Sequence, residues 1–311
     1  MLPQPRIAVL IPCYNEEIAI GAVVRDFRAA LPEATLFVFD NNSRDRTVEV
    51  AMEAGAIVRR VPLQGKGNVV RRMFADVDAD AYVLVDGDDT YHAASARDML
   101  AKLFAENLDM VVSRRVTNET AAYRRGHRLG NWLLTECIAR LFGRAFTDIL
   151  SGYCVFSRRF VKPFPAVTTE FEVETELTVH ALEPRMPIEE FDTPYMARPE
   201  GSVSKLNPYR DGIHILWTIL KLFRQERPLA FFGAISGGLC LASLALFLPL
   251  FLTYAETGLV PRFPTAILVT GMTLTVFLSL ACGLILDTVT RGRHETKRLA
   301  YLQIATPRVE P

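Results

Sequence analysis

The stretch IAVLIPCYNEEIAIGAVVRDFRAALPEATLFVFDNNS, residues 7–43, decides the fold class. Two short apolar runs, IAVLI (7–11) and TLFVF (35–39), enclose EEIAIGAVVRDFRAAL (16–31), where apolar residues recur at helical spacing. Strand, polar loop, helix, strand is the unit of a parallel sheet, because the crossover helix carries the chain back to the starting edge. The unit repeats. AIVRRV (56–61), AYVLV (81–85) and LDMVV (108–112) read as strands; DRTVEVAMEAG (45–55, stopped by Gly55), GNVVRRMFADVD (67–78) and AASARDMLAKLFAEN (93–107) read as helices. The alternation predicts an α/β domain with a mainly parallel sheet covered by helices.

Ligands of such sheets bind at the carboxyl ends of the strands. Here those ends are PCYNEE (12–17), DNNSRDRT (40–47), PLQGKGN (62–68) and DGDDT (86–90), all polar or Gly-rich and all expected on one edge. By itself DGDDT is compatible with a solvated turn. An EF-hand is excluded, because counting from Asp86 the sixth residue is Tyr91 and the twelfth Arg97. A P-loop is excluded too, because Arg60 stands where GxxxxGK needs glycine. A hard divalent cation, Mg²⁺ or Mn²⁺, held by Asp86 and Asp88 and completed by phosphates, fits the pattern. Asp40 can accept hydrogen bonds from a base or ribose, and Lys66, between Gly65 and Gly67, can meet a phosphate. RPEGSVSK (198–205) adds Arg198, Ser202, Ser204 and Lys205 around Gly201, a diphosphate clamp in composition.

Composition changes near residue 228. LAFFGAISGGLCLASLALFLPLFLTY (229–254) and TAILVTGMTLTVFLSLACGLIL (265–286) carry no charge, and each exceeds the roughly 20 apolar residues that cross a bilayer. Lys221, Arg224 and Arg227 precede the first run, and Arg291, Arg293, Lys297 and Arg298 follow the second, while the connecting loop holds Glu256 and Arg262. The positive-inside rule then predicts a multi-pass protein of the cell (inner) membrane, with the N-terminal domain and both termini cytoplasmic. YRDGIHILWTILKLFRQER (209–227) reads as an amphipathic helix in the interface. The expected organisation is a catalytic domain (1–208), this helix (209–227), a two-helix hairpin (228–290) and a cytoplasmic tail (291–311). The start of the chain shows no basic leader and too short an apolar run for a signal peptide. Lys+Arg 35 balances Asp+Glu 35, so the charge excludes a globally basic nucleic-acid binder. Cys13, Cys137, Cys154, Cys240 and Cys282 are scattered without CxxC spacing and read as reduced thiols. GAISGG (233–238) brings small residues into the first span and is compatible with a homo-oligomer.

IPCYNEE, FDNNSRDRT, the GKG loop, DGD, VSRR (112–115), DILSGY (148–153), RPEGSVSK and the two terminal spans together resemble glycosyltransferase family 2, within it the dolichyl-phosphate mannose synthase-like enzymes. The resemblance implies a GT-A, Rossmann-like fold and a polyprenyl-phosphate glycosyltransferase. Such an enzyme transfers a sugar, with inversion, from a UDP- or GDP-linked donor to undecaprenyl or dolichyl phosphate at the membrane. It implies that Asp86 and Asp88 bind metal and donor diphosphate, and that Pro12, Tyr14, Glu16 and Asp40 hold the nucleoside. Arg114 matches a position beside the acceptor phosphate and donor; Arg198, Ser204 and Lys205 match the segment closing over the diphosphate. Cys154 stands where the family often has arginine, which leaves that phosphate contact absent or assigned to Arg158 or Arg159. A lipid phosphate is already ionised and needs no base, and TEFEVETEL (169–177) lacks the usual catalytic Asp, so it reads as structural or acceptor-side. Two other readings stand beside this one: a membrane transferase acting on a lipid or polysaccharide hydroxyl, and a nucleotide-sugar-binding scaffold without turnover.

Overall fold

The computed structural model describes residues 4–116, 135–140, 151–165, 173–196, 198–199 and 208–305, the side chains of 208–216 aside. The chain divides into two compact units, Met1–Ile215 with Lys297–Pro311, and Leu216–Thr296.

The first unit is built on a seven-stranded sheet of order β3-β2-β1-β4-β6-β5-β7. The strands are β1 (Ile7–Cys13), β2 (Thr35–Asp40), β3 (Ile57–Arg60), β4 (Ala81–Leu84), β5 (Met110–Val116), β6 (Cys154–Ser157) and β7 (Ile188–Pro194). β1 to β4 pair in parallel, as the alternation requires. β6 runs antiparallel between β4 and β5, and β7 joins β5 in parallel. The sheet is therefore mixed on one side. That feature escaped the sequence because CVFS is four residues long and IEEFDTP is broken by acids.

Both faces are covered. Alternate residues of β1 (Ile7, Val9, Ile11, Cys13) meet Val23, Val24 and Phe27 of α1 (Ile20–Ala30), Ala51 of α2 (Thr47–Glu53) and Met99, Leu100 and Leu103 of α4 (Ser95–Ala105). Helix α2 ends where expected: Gly55 takes φ 93°, a region open mainly to glycine, and Ala56 N donates to Ala51 O at 3.0 Å. On the other face α3 (Lys66–Asp76) sends Phe74 among Tyr82, Phe156 and Phe164, ring centroids 6.2, 6.0 and 5.6 Å away. Phe160 of the short α5 (Arg158–Val161) and His180 of α6 (Val173–Leu182) complete this aromatic layer, their rings 5.0 Å apart. Strands buried on both faces explain why β1 and β4 read as continuous apolar runs.

The register aligns the strand ends. Cys13 lies opposite Asp40, Asp40 opposite Arg60, and Leu10 opposite Leu84. The four polar loops therefore leave the sheet along one edge.

The second unit holds the end of α7 (Pro208–Glu226), α8 (Pro228–Thr257) and most of α9 (Phe263–Leu302). Helices α8 and α9 are long and apolar enough to cross a membrane. They meet through small and polar residues: Ser236 Oγ donates to Val276 O at 3.1 Å, Ser243 and Thr273 hydroxyls lie 3.1 Å apart, and Gly283 stands against Phe232. Leu241, Phe277 and Leu278 face outward. Small residues inside and large apolar ones outside is the arrangement of helices packed in lipid, where burying apolar area between helices gains nothing over lipid contact. Helix α9 continues sixteen residues past the predicted span end, through the segment expected as a tail, and its last turns belong to the first unit. There Tyr301 OH donates to Asp109 at 2.7 Å and Lys297 pairs with Glu183.

Candidate active site

Three of the four loops place a left-handed residue at their tips, Asn15 (φ 53°), Asn42 (φ 65°) and Asp89 (φ 57°), residue types that tolerate this region. Side chains tie the loops together. Asn15 N donates to Ser43 Oγ at 2.9 Å, and Glu16 N to Thr47 Oγ1 at 2.8 Å. Asn41 donates to the carbonyls of Val61 (3.0 Å) and Leu63 (2.7 Å) and accepts from Gly65 N (2.7 Å). Gly65 sits at φ 122°, and the turn it makes delivers Lys66 as the first residue of α3.

Lys66 Nζ donates to Asp86 Oδ1 at 2.6 Å and to Glu174 Oε1, in the first turn of α6, at 2.5 Å. Asp88 is buried; its Oδ1 accepts from Thr90 Oγ1 at 2.7 Å and its Oδ2 from Arg198 at 2.5 Å. Arg198 also stands 3.9 Å from Glu16. Its place is set by the chain following β7: Met196 N donates to Thr90 O at 2.9 Å, and Tyr195 bridges Tyr91 with rings 5.3 Å apart. Tyr91 OH in turn accepts from Gly152 N at 2.9 Å. Gly152 lies so near Asp86 that a Cβ there would fall 2.1 Å from Oδ2. The glycine of SGY thus makes room for the carboxylate.

Among the described residues, four carboxylates (Glu16, Asp86, Asp88, Glu174) meet two cations (Lys66, Arg198). Burial raises the Asp88 carboxyl above its ordinary pKa and the Asp86 charge adds to this, against the pull of Arg198 and Thr90. Burial would lower the Lys66 pKa, but the charges of Asp86 and Glu174 more than reverse it, so Lys66 stays charged. Glu174 Oε2 is buried with no hydrogen-bond partner among the described residues. Hard oxygen donors and a preponderance of carboxylates among the described residues fit Mg²⁺ or Mn²⁺, the ions expected for this motif.

The fold brings Asp86, Asp88, Lys66, Arg198 and Glu16 into one cluster. Pro12 and Tyr14 follow on the same edge at the end of β1, half-buried. Asp40 is also there but buried, accepting from Ser43 N at 3.2 Å. Arg114 is outside the cluster's hydrogen-bond network; it lies exposed on β5 in a bidentate pair with Asp192 of β7, at 2.5 and 2.6 Å. Ser204 and Lys205 lie outside the described residues. The assignment of a phosphate contact to Arg158 or Arg159 does not hold. β6 runs antiparallel, so its last residue, Ser157, pairs with Ala81 at the start of β4, and both arginines lie at the opposite edge, bound to Asp78 and Asp109. Cys154 is a buried thiol donating to Ser151 O at 3.7 Å. Glu174 was missed: its run suggested structure, and only its position in the first turn of α6, beside the GKG loop, reveals a polar role.

The family described as glycosyl transferase family 2 matches residues 8–163. Glycosyltransferase AglJ of Haloferax volcanii is 34% identical over 256 residues, covering 81% of this chain and 83% of that protein. The dolichyl-phosphate hexose transferase of the same organism is 29% identical over 221 residues, 71% of this chain and 95% of that one. Among solved structures, glucosyl-3-phosphoglycerate synthase from Mycobacterium tuberculosis, in complex with Mn²⁺, UDP-glucose and phosphoglyceric acid, superposes with TM-score 0.57 at 24% identity, covering 70% of this chain and 80% of that one. That likeness establishes the GT-A fold.

Proposed function

The chain belongs to glycosyl transferase family 2, and from that premise we propose that this glycosyltransferase moves a sugar from a nucleotide-diphosphate donor to a membrane polyprenyl phosphate. The observation that carries the reading is the cluster of Asp86, Asp88, Lys66 and Arg198 on the carboxyl edge, with Asp88 buried and the others half-buried, in a chain that also has two helices able to cross a membrane. The similar dolichyl-phosphate hexose transferase supports the acceptor class, and the Mn²⁺ and UDP-glucose complex of the structural neighbour supports the donor and ion.

Asp86 and Asp88 hold Mg²⁺ or Mn²⁺, which when bound neutralises charge developing on the leaving diphosphate. Lys66 and Arg198 offer charge-assisted hydrogen bonds to the same diphosphate. Pro12, Tyr14, Glu16 and Asp40 line the nucleoside side, and Ser204 and Lys205 close over it. Arg114 meets the acceptor phosphate by leaving Asp192, an exposed pair that costs little to break. The acceptor phosphate is the nucleophile and needs no base, so Glu174 is free to serve Lys66. Attack from the face opposite the diphosphate inverts the anomeric centre. The basic residues flanking α8 and α9 keep the catalytic unit and both ends in the cytoplasm, where the lipid phosphate lies at the interface.

The full-length protein in detergent is given undecaprenyl or dolichyl phosphate, Mn²⁺ or Mg²⁺, and labelled UDP- and GDP-sugars. Label extractable into organic solvent, lost with EDTA and in Asp88→Ala, is the expected result. Nucleotide-sugar binding without any lipid product would refute the polyprenyl-phosphate acceptor.

A further inference from the structure

Lys66 donates hydrogen bonds to two carboxylates of the cluster. Its ammonium bridges Asp86 of the DGD loop and Glu174 of α6, two carboxylates 88 residues apart by the difference of their numbers. Its backbone is pinned by Asn41 through Gly65, whereas its side chain is a flexible four-carbon stem ending in a point charge. Glu174 is buried, and its Oε2 lacks a hydrogen-bond partner among the described residues, so this carboxylate has capacity beyond the single bond it accepts there. A buried anion in that condition is costly unless it serves a second arrangement of the charges around it.

We propose that Lys66 and Glu174 form a gate on the cation site. Lys66 is the resident counter-ion of Asp86, and Glu174 retains the ammonium when it turns from Asp86 to a diphosphate. The inference rests on Asp86 and Asp88 being the cation-binding pair, and it adds an order of events to that reading. With Lys66 on Asp86, a divalent cation meets a carboxylate already neutralised and binds weakly. A nucleoside diphosphate draws Lys66 away by its own negative charge and leaves the Asp86 oxygen open. Cation and nucleotide then strengthen each other's binding, with Lys66 as the coupling element. Such coupling is reciprocal by thermodynamic necessity.

The test is a Mn²⁺ titration followed by electron paramagnetic resonance, on the full-length protein in detergent, alone and with UDP or GDP. In the wild type, one of the nucleotides tightens Mn²⁺ binding within the roughly 5–150-fold range of such couplings. Lys66→Gln binds Mn²⁺ alone roughly tenfold more tightly than wild type and loses most of the nucleotide effect, while Lys66→Arg, which keeps the charge, does not gain affinity. Unchanged Mn²⁺ affinity in a folded Lys66→Gln overturns the gate. Should that variant fail to fold, the near-isosteric Glu174→Gln decides: Mn²⁺ alone weakens roughly fivefold, because Lys66 then rests on Asp86 only, and an unchanged affinity overturns the gate. No lipid acceptor enters these titrations. Shifted Mn²⁺ affinities with no lipid product would retain the gate and sink the polyprenyl reading, and lipid product with unshifted affinities would do the reverse.

Discussion

The two edges of the central sheet each bury a carboxylate network, and they are built on opposite terms. At the amino edge Asp109, fully buried, is saturated. Its Oδ1 accepts from Ser157 Oγ (2.7 Å) and Arg159 Nε (2.9 Å), and its Oδ2 from Arg159 Nη2 (2.9 Å) and Tyr301 OH (2.7 Å). The guanidinium also lies 4.7 Å above the Tyr301 ring. At the carboxyl edge, among the described residues, four carboxylates share two cations, and Glu174 Oε2 and Arg198 Nη1 make no hydrogen bond. A satisfied buried network specifies a fold, whereas a frustrated one stores binding capacity for charged ligands.

The largest effect that would break this comparison is on stability at the amino edge. Asp109→Ala removes the acceptor shared by Ser157, the half-buried Arg159 and Tyr301, and is expected to lower unfolding free energy by about 3 kcal/mol, with turnover per folded molecule retained. Chemical denaturation beside a lipid-product assay reads both; an unmoved transition would mean that the network holds nothing.

At the carboxyl edge the balance reverses. Asp88→Asn is expected to cut product formation roughly 10²–10³-fold, the several kcal/mol that charge stabilisation at a metal site supplies. Stability should not fall, because burial already disfavours the charged form of Asp88. A variant that melts well below wild type would place Asp88 with the structural network instead.

Next comes pH. His180, on the aromatic layer near the amino edge, has its pKa lowered to about 4, by burial first and then by the Lys297 charge, against its bond to Phe160 O. The unfolded state therefore binds the extra proton between about pH 6.5 and pH 4, so stability declines as pH falls through that window, by up to about 3 kcal/mol at its lower end. Melting temperatures of wild type and His180→Gln at pH 7 and pH 5 should diverge, the wild type losing more. Parallel losses would remove His180 from the account.

The smallest effect concerns a pair outside both networks. Arg114 and Asp192 are each about half exposed, at 46% and 54%, so Arg114→Ala should shift stability by no more than about 1 kcal/mol. Mn²⁺ affinity should stay at the wild-type value. A large stability loss would show that this exposed pair is structural.

Much of this was legible in the sequence. The five strands of the alternating region lie where their apolar runs predict, and Gly55, the DGD loop and the uncharged spans have local signatures that packing did not overturn. β6 and β7 were not legible, since short or acid-bearing strands lack a period. Nor was the end of α9: its charged continuation reads as a tail, yet Tyr301 and Lys297 find partners on the catalytic unit.

The sequence by itself determined the fold class, the edge where polar loops gather and the two apolar helices, because each follows from the periodicity and composition of neighbouring residues. Only the tertiary structure decided which charges meet. Lys66 reaches Glu174 across 108 positions, Arg198 reaches Asp88 across 110, and Tyr301 reaches Asp109 across 192. A charge has no period and its partner no fixed spacing, so the pairing exists only once strand register and helix docking have set the geometry.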